Sequence, residues 1–300
     1  MTFRQFNSKK IRIKASTMAS GAIEKFFFLC ACMSVLSVLV ISVYIFVNGS
    51  PAIFKIGLFK FLFGMEWAPS LEQFGIFPMI IASILGTIGA LVIGICVGVF
   101  TAIFLAEIAP NWLVRIFQPA IQLLAGIPSV VYGFFGLIVI VPLISKYFGG
   151  VGNSLLAVII ILGIMILPTI INISEAALRA VPKEYKEGSL ALGATHIQTI
   201  FKVILPAARS GIMTSIILGA GRAIGETMAV IMVAGNTPLL PSSLLKPVRT
   251  MTSNIVLEMG YAFGLHQGAL FATGVVLFIL IMLLNIILNI IIRKAGESYE

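Results

Sequence analysis

GAGRAIGETMAV, residues 219–230, sets an arginine and a glutamate four positions apart inside the otherwise apolar run from Ile212 to Ala234. How this run is read decides the fold. As a glycine-rich phosphate loop it lacks the soluble strand that such a loop must follow. As a membrane span it is long enough, because a hydrocarbon core of about 30 Å takes roughly 20 apolar residues as a helix. The whole chain favours the second reading: of 300 residues, 59% are hydrophobic and 10% charged, with a mean hydropathy of +1.11. That balance belongs to an all-α integral membrane protein rather than to a soluble domain.

Composition also narrows the chemistry. All eleven acidic residues are Glu, so Asp-based metal loops and Walker-type motifs have nothing to build from. Cys30, Cys32 and Cys96 lie in apolar segments, with no disulfide framework or metal spacing. No cofactor or metal is expected. An intramembrane enzyme would need a nucleophile and a base, and neither His196 nor His266 has a partner in a span.

Six apolar runs are long enough to cross a bilayer: Phe26 to Val47, Pro78 to Leu105, a stretch between Arg115 and Lys146, Ser154 to Ile173, Ile212 to Ala234, and Gly268 to Ile292. The third is too long for one straight helix, and LAGIPS at Leu124 to Ser129 suggests a bend or a short interfacial segment. An even number of spans puts both termini on one side. Placing them in the cytoplasm puts fourteen of the twenty Lys and Arg residues there, in line with the bias of cationic residues toward cytoplasmic loops. Residues 1–25 then form a basic cytoplasmic segment suited to anionic membrane lipid, 26–47 a first anchor, 75–292 the core, and 293–300 a cytoplasmic tail. No nucleic-acid partner is expected.

Helices in lipid associate where small residues let backbones approach. The second span carries Gly86, Ala90, Gly94, Gly98 and Ala102 at every fourth position. The fifth carries two such lines, Gly211, Ser215 and Gly219, and Gly221, Gly225 and Ala229.

Residues 174–210 are the long charged segment in the body of the chain. Pro182 suits a first helical turn and Gly193 its end. Thr195 can cap a second helix ended by Pro206. Val181, Tyr185 and Leu192 recur at helical spacing, with Lys183, Glu184, Lys186 and Glu187 making a polar face. An amphipathic helix of this kind can dock in a partner's groove, and a solvated interfacial loop is the plainer alternative.

Arg222 lies about 15 Å from each end of the fifth span at 1.5 Å rise per residue. A charge at that depth costs on the order of 3 kcal/mol even on lenient scales, so both charges face inward. At i and i+4 they share a face and can pair with each other. One reading is a structural ion pair that fixes helix register. The other is an anion path in which the Arg222 guanidinium meets phosphate or carboxylate oxygens, Glu226 keeps it from holding the anion too tightly, and Thr227 and Ser129 add hydroxyls. A helix broken at GIPS, Gly126 to Ser129, can direct N–H groups at the anion.

GIPSVVYGFFGL, the loop with Glu187, Gly193, Val203, Leu205 and Pro206, and SGIMTSIILGAGRAIGETMAVIMVAGN occur here in this order. The loop's spacing resembles the EAA loop of ABC importer permeases, with Gly188 and Ser189 in place of two alanines and Val203 in place of isoleucine. From about Gly75 onward the chain is similar to permeases of the bacterial phosphate ABC importer, the PstC-like member more than its PstA-like partner. The resemblance implies a type I ABC importer permease fold of six transmembrane helices in the bacterial inner membrane. It also implies a second, PstA-like permease, two ATP-binding subunits that hydrolyse the ATP, and an extracytoplasmic phosphate-binding protein. Arg222 and Glu226 would lie on the phosphate path. Tyr185, Glu187, Gly193, Ala194 and Pro206 would belong to the coupling loop. An ion-coupled secondary anion carrier or channel, with Glu226 as a proton site, and an importer of another oxyanion are the alternatives.

Overall fold

A computed structural model describes the backbone of residues 3–297 and the side chains of residues 23–290. Arg4, Lys9, Lys10, Arg12 and Lys14 in the basic segment, and the 293–300 tail, therefore lie outside the described side chains. The fold is helical apart from one small hairpin. It divides into two compact units, residues 1–48 and 49–300. Helix α1 (Phe3–Ile56) supplies the described part of the first. Phe26, Phe27, Leu29, Val35 and Leu39 are exposed along it, a surface suited to lipid.

The second unit continues with a short helix α2 (Leu58–Phe63) and a hairpin of β1 (Trp67–Ala68) and β2 (Gln73–Phe74). There follow α3 (Phe77–Ile108), α4 (Asn111–Gly126), α5 (Ser129–Phe148) and α6 (Leu155–Arg179). The last six are α7 (Lys183–Ala191), α8 (His196–Ala207), α9 (Arg209–Gly225), α10 (Met228–Val233), α11 (Met251–Met259) and α12 (Gly264–Glu297). Among the described residues five helices are long and apolar enough to cross a membrane, and α8 with α9, bent by 67°, would make a sixth if the two count as one span.

The core gathers around α6, whose stretch from Leu155 to Ile171 is mostly Leu, Val, Ile and Met. Both sides of it are smooth contacts. Along α3, a Cβ added at Gly94 would stand 2.7 Å from Ile166, and one at Gly98 would stand 2.8 Å from Ile170. Along α9, Gly219 lies against Ile170, and the buried Ser215 hydroxyl bonds Ser174 at 2.8 Å. In lipid, where apolar surface alone gives helices no reason to associate, such close backbone approach and buried hydroxyl pairs hold them together.

The two small-residue lines on the fifth span part company. Gly211 and Gly219 are packed, whereas Gly221 and Gly225 have nothing within 4 Å of an added Cβ. Only Ala229 on that second line is buried, where Gly133 of α5 meets its backbone.

That span also departs from expectation as a whole, because Ile212 to Ala234 is not one helix. α9 ends at Gly225, Glu226 is extended (φ −71, ψ 134), and α10 starts again at Met228. Gly225 weakens the helix. Glu226 then accepts the Ala229 N–H through Oε1 at 3.1 Å, as a capping side chain does at a helix start. Arg222 is accordingly three residues from the end of α9 rather than in the middle of a straight span. The expected bend at GIPS is present: α4 ends at Gly126, Ile127 and Pro128 are extended, and α5 begins at Ser129.

Candidate functional site: a charged helix break and a helical loop

Two helix breaks lie side by side. α5 and α10 pack at Gly133 and Ala229, and again at Gly136 and Val233, each a short way beyond its own break. Tyr132 ties the first bend by donating its hydroxyl to the Leu124 carbonyl at 2.7 Å. Glu226 ties the second through Ala229.

The ion pair that i, i+4 spacing would allow between Arg222 and Glu226 does not form. The two residues are four apart, but the intervening chain leaves the helix at Gly225, so they no longer share a helical face. Arg222 donates instead to Thr169 Oγ1 of α6, a long 3.4 Å contact. Among the described residues no carboxylate forms an ion pair with it. It is half-buried and lies within electrostatic range of Tyr132. Thr227 and Ser129, at the two restarts, are half-buried as well. The result is a partly exposed guanidinium in the last turn of an apolar helix that also presents open glycine surface at Gly221 and Gly225, while Thr227 and Ser129 carry hydroxyls at the two helix breaks. Such a guanidinium offers a planar donor fork to an oxyanion.

The charged loop forms two helices close to the sequence expectation. Pro182 stands at the N-cap of α7, and Gly193 beyond its end has φ +84, a conformation that L side chains avoid. Thr195 caps α8 in a full capping box with Gln198. Pro206 falls in the last turn of α8, which runs on to Ala207 before the 67° bend. Tyr185 is 55% exposed and Leu192 is 92% exposed, so apolar side chains project from this loop. Glu187 and Gly193 are exposed, and Ala194 is half-buried. Lys186, expected on the polar outer face, turns inward: its Nζ lies 2.6 Å from Glu107 Oε2 at the end of α3. Arg179 bonds Glu175 at 2.9 Å and the Leu105 carbonyl at 3.0 Å.

Sequence reasoning missed a third cluster. Glu258 of α11 is buried and receives Arg249 Nη1 at 2.6 Å, Trp67 Nε1 at 2.8 Å and His266 Nε2 at 2.8 Å. His266 thus has a carboxylate partner, which lies outside the spans. Its signals were a lone Glu in an apolar segment and the Thr250-x-x-Ser253 start of α11, where Thr250 accepts the Ser253 N–H.

Comparison with known proteins decides what this arrangement belongs to. Residues 94–296 match the family described as binding-protein-dependent transport system inner membrane component. This chain belongs to that family. The permease is 42% identical to the probable ABC transporter permease protein YqgH of Bacillus subtilis over 87% of its own length and 86% of the relative's. It is 36% identical to the phosphate transport system permease protein PstC of Haemophilus influenzae over 80% and 82%. In fold it is similar to a chain of the inward-facing MetNI methionine ABC transporter, with TM-score 0.60 at 20% identity, covering 77% of this permease and 99% of that chain. It is therefore a multi-pass membrane transport subunit with the type I ABC importer permease fold.

Proposed function

We propose that this permease is the membrane subunit of an ATP-driven inorganic phosphate importer, and that Arg222 is an anion contact on its translocation path. The observation that carries the reading is the state of Arg222, a half-buried cation at a break in a spanning helix, without a carboxylate partner among the described residues. A cation so placed gains most from an anion that visits. Relatives named as phosphate permeases support the choice of anion. Thr227 and Ser129 stand at the two breaks to offer hydroxyls. Glu226, its carboxylate committed to Ala229, adds like charge that speeds release.

A second, PstA-like permease completes the path in this reading, and an extracytoplasmic phosphate-binding protein delivers phosphate. Two cytoplasmic ATP-binding subunits hydrolyse the ATP, so the permease itself has no catalytic role. Tyr185, Glu187, Gly193, Ala194 and Pro206 form the contact with those subunits. The exposed apolar side chains of Tyr185 and Leu192 support this, because they suit insertion into a groove. Motion of α7 would pass to α3 through Lys186 and Glu107. The excess of cationic residues in the N-terminal segment and the α7–α8 loop supports an orientation with both termini in the cytoplasm. A self-contained carrier has no use for such a loop.

The test is uptake of labelled phosphate by the complete complex in proteoliposomes. Uptake requires internal ATP and both ATP-binding subunits, and is displaced by excess arsenate but not by excess sulfate. Equal displacement by sulfate, or uptake without the ATP-binding subunits, overturns the reading.

A further inference from the structure

The short helix α10 is held at both ends by one segment, residues 248–252, and that segment is anchored elsewhere. At the far end of α10, Arg249 Nε donates to the Asn236 carbonyl at 2.8 Å, and the Val248 N–H donates to the Ala234 carbonyl at 2.9 Å. Asn236 itself turns back to the Ile231 carbonyl through Nδ2 at 2.8 Å. At the near end, Thr252 Oγ1 donates to the Glu226 carbonyl, within the break, at 2.9 Å. Only Thr250 and Met251 separate Arg249 from Thr252, so the distance between the two grips is set by the start of α11.

The anchor is the Glu258 cluster. Its carboxylate takes Arg249 on one oxygen and both Trp67 and His266 on the other. It thereby joins the β1–β2 hairpin and α12 to the residue that grips α10. A further tie, from the Met251 N–H to Ser83 Oγ at 3.1 Å, fixes the same segment to α3. Glu258, Asn254 and Ser253 are buried. A buried network in low dielectric has few alternative arrangements. By contrast, the break it grips carries long contacts, with Arg222 at 3.4 Å from Thr169 and Thr227 Oγ1 at 3.4 Å from the Gly225 carbonyl.

We propose that Thr252 is a positioning residue for the anion path: its hydroxyl fixes the Glu226–Thr227 peptide, and so the relative placement of Arg222 and Thr227, with the Glu258 cluster as the rigid base. The proposal rests on the reading of Arg222 as an anion contact, and it locates the grip outside the break itself. In this role Thr252 does not itself contact the anion. It sets the geometry of groups that do, and misplacement of such groups is felt in binding before it is felt in folding.

The experiment uses the complete complex with Thr252→Val, which keeps the side-chain shape and removes the donor, and Thr252→Ser, which keeps the donor. Thr252→Val raises the KM for phosphate about tenfold, as loss of roughly 1.4 kcal/mol of anion affinity requires, with the maximal rate within about twofold. Thr252→Ser restores the KM. An unchanged KM in Thr252→Val overturns the proposal, and so does a joint fall of rate and thermal midpoint that Thr252→Ser does not repair. A second readout needs no transport. In a chain with Cys30, Cys32 and Cys96 replaced by serine, a cysteine introduced by Gly225→Cys reacts severalfold faster with a water-soluble maleimide when Thr252 is Val, and at the original rate when it is Ser. Equal labelling rates overturn the proposal, whichever anion the complex carries. Failure of phosphate uptake in the unaltered complex, with labelling behaving as stated, fails the phosphate reading and leaves the positioning role standing.

Discussion

Two arginine–glutamate pairs in this permease carry the same charges and are used in opposite ways. Arg249 and Glu258, nine residues apart, meet at 2.6 Å with side chains only 15% and 8% exposed. Arg222 and Glu226, four residues apart, have helical spacing for a pair, yet no bond joins them. What separates the cases is the backbone. Helix α11 brings Glu258 round to Arg249, whereas the break at Gly225 turns Glu226 into a cap for α10. A cation neutralised inside the protein is a structural strut. One left at a break, half-open, remains available to an anion from outside.

Breaking the first pair has the largest expected effect on stability. Arg249→Met leaves the Glu258 carboxylate buried without its guanidinium, a loss of about 3–5 kcal/mol for a buried pair deprived of one partner. The thermal midpoint of the purified complex falls clearly, and an unchanged midpoint would erase the distinction between the clusters. A third pair sharpens it from the middle. Lys186 and Glu107 are 36% and 9% exposed. Lys186→Glu sets like charges together and lowers ATP-dependent uptake several-fold, with stability changed by about 1 kcal/mol at a partly exposed site. Adding Glu107→Lys restores uptake, because the reversed pair rebuilds the link from α7 to α3. Failure of the double variant to recover denies that link. Glycines repeat the contrast without charge. Gly98→Val drives new atoms into Ile170 and costs about 1–3 kcal/mol by overpacking. Gly221→Ala, facing open space inside a helix, costs nothing and gains up to about 1 kcal/mol. Comparable losses at both glycines would mean that the α9 surface is packed after all.

Much of the fold was legible because the bilayer is a severe solvent. Long apolar runs mark the spans, and the every-fourth glycines of α3 mark the face that meets α6. The α7–α8 loop was legible for a different reason: Pro182, Gly193 and Thr195 are local signals, each acting through its own backbone. The break at Glu226 was hidden because apolar residues continue on both sides of it, so hydropathy registers one span where the chain makes two helices. One of its ties lies far away in sequence, in the Thr252 hydroxyl. The Glu258 cluster was hidden for the same reason. Trp67, Arg249 and His266 are brought to it by three different elements, and no spacing rule links residues 191 apart. The inward turn of Lys186 likewise depends on Glu107, 79 residues earlier. For the candidate path, the residues Arg222, Glu226, Thr227 and Ser129 were named from sequence, but the geometry among them was not.

Arg222→Gln bears most directly on the idea that the unpaired arginine serves the anion. Phosphate uptake and thermal stability are measured on the same complete complex, reconstituted with its ATP-binding subunits. With a charged hydrogen bond to the anion lost, at about 1.5–3 kcal/mol, uptake at low phosphate falls ten- to a hundredfold while the thermal midpoint and subunit assembly stay as in the unaltered complex. Uptake that survives intact, or a midpoint that falls as far as that of Arg249→Met, would contradict the account and return Arg222 to a structural role.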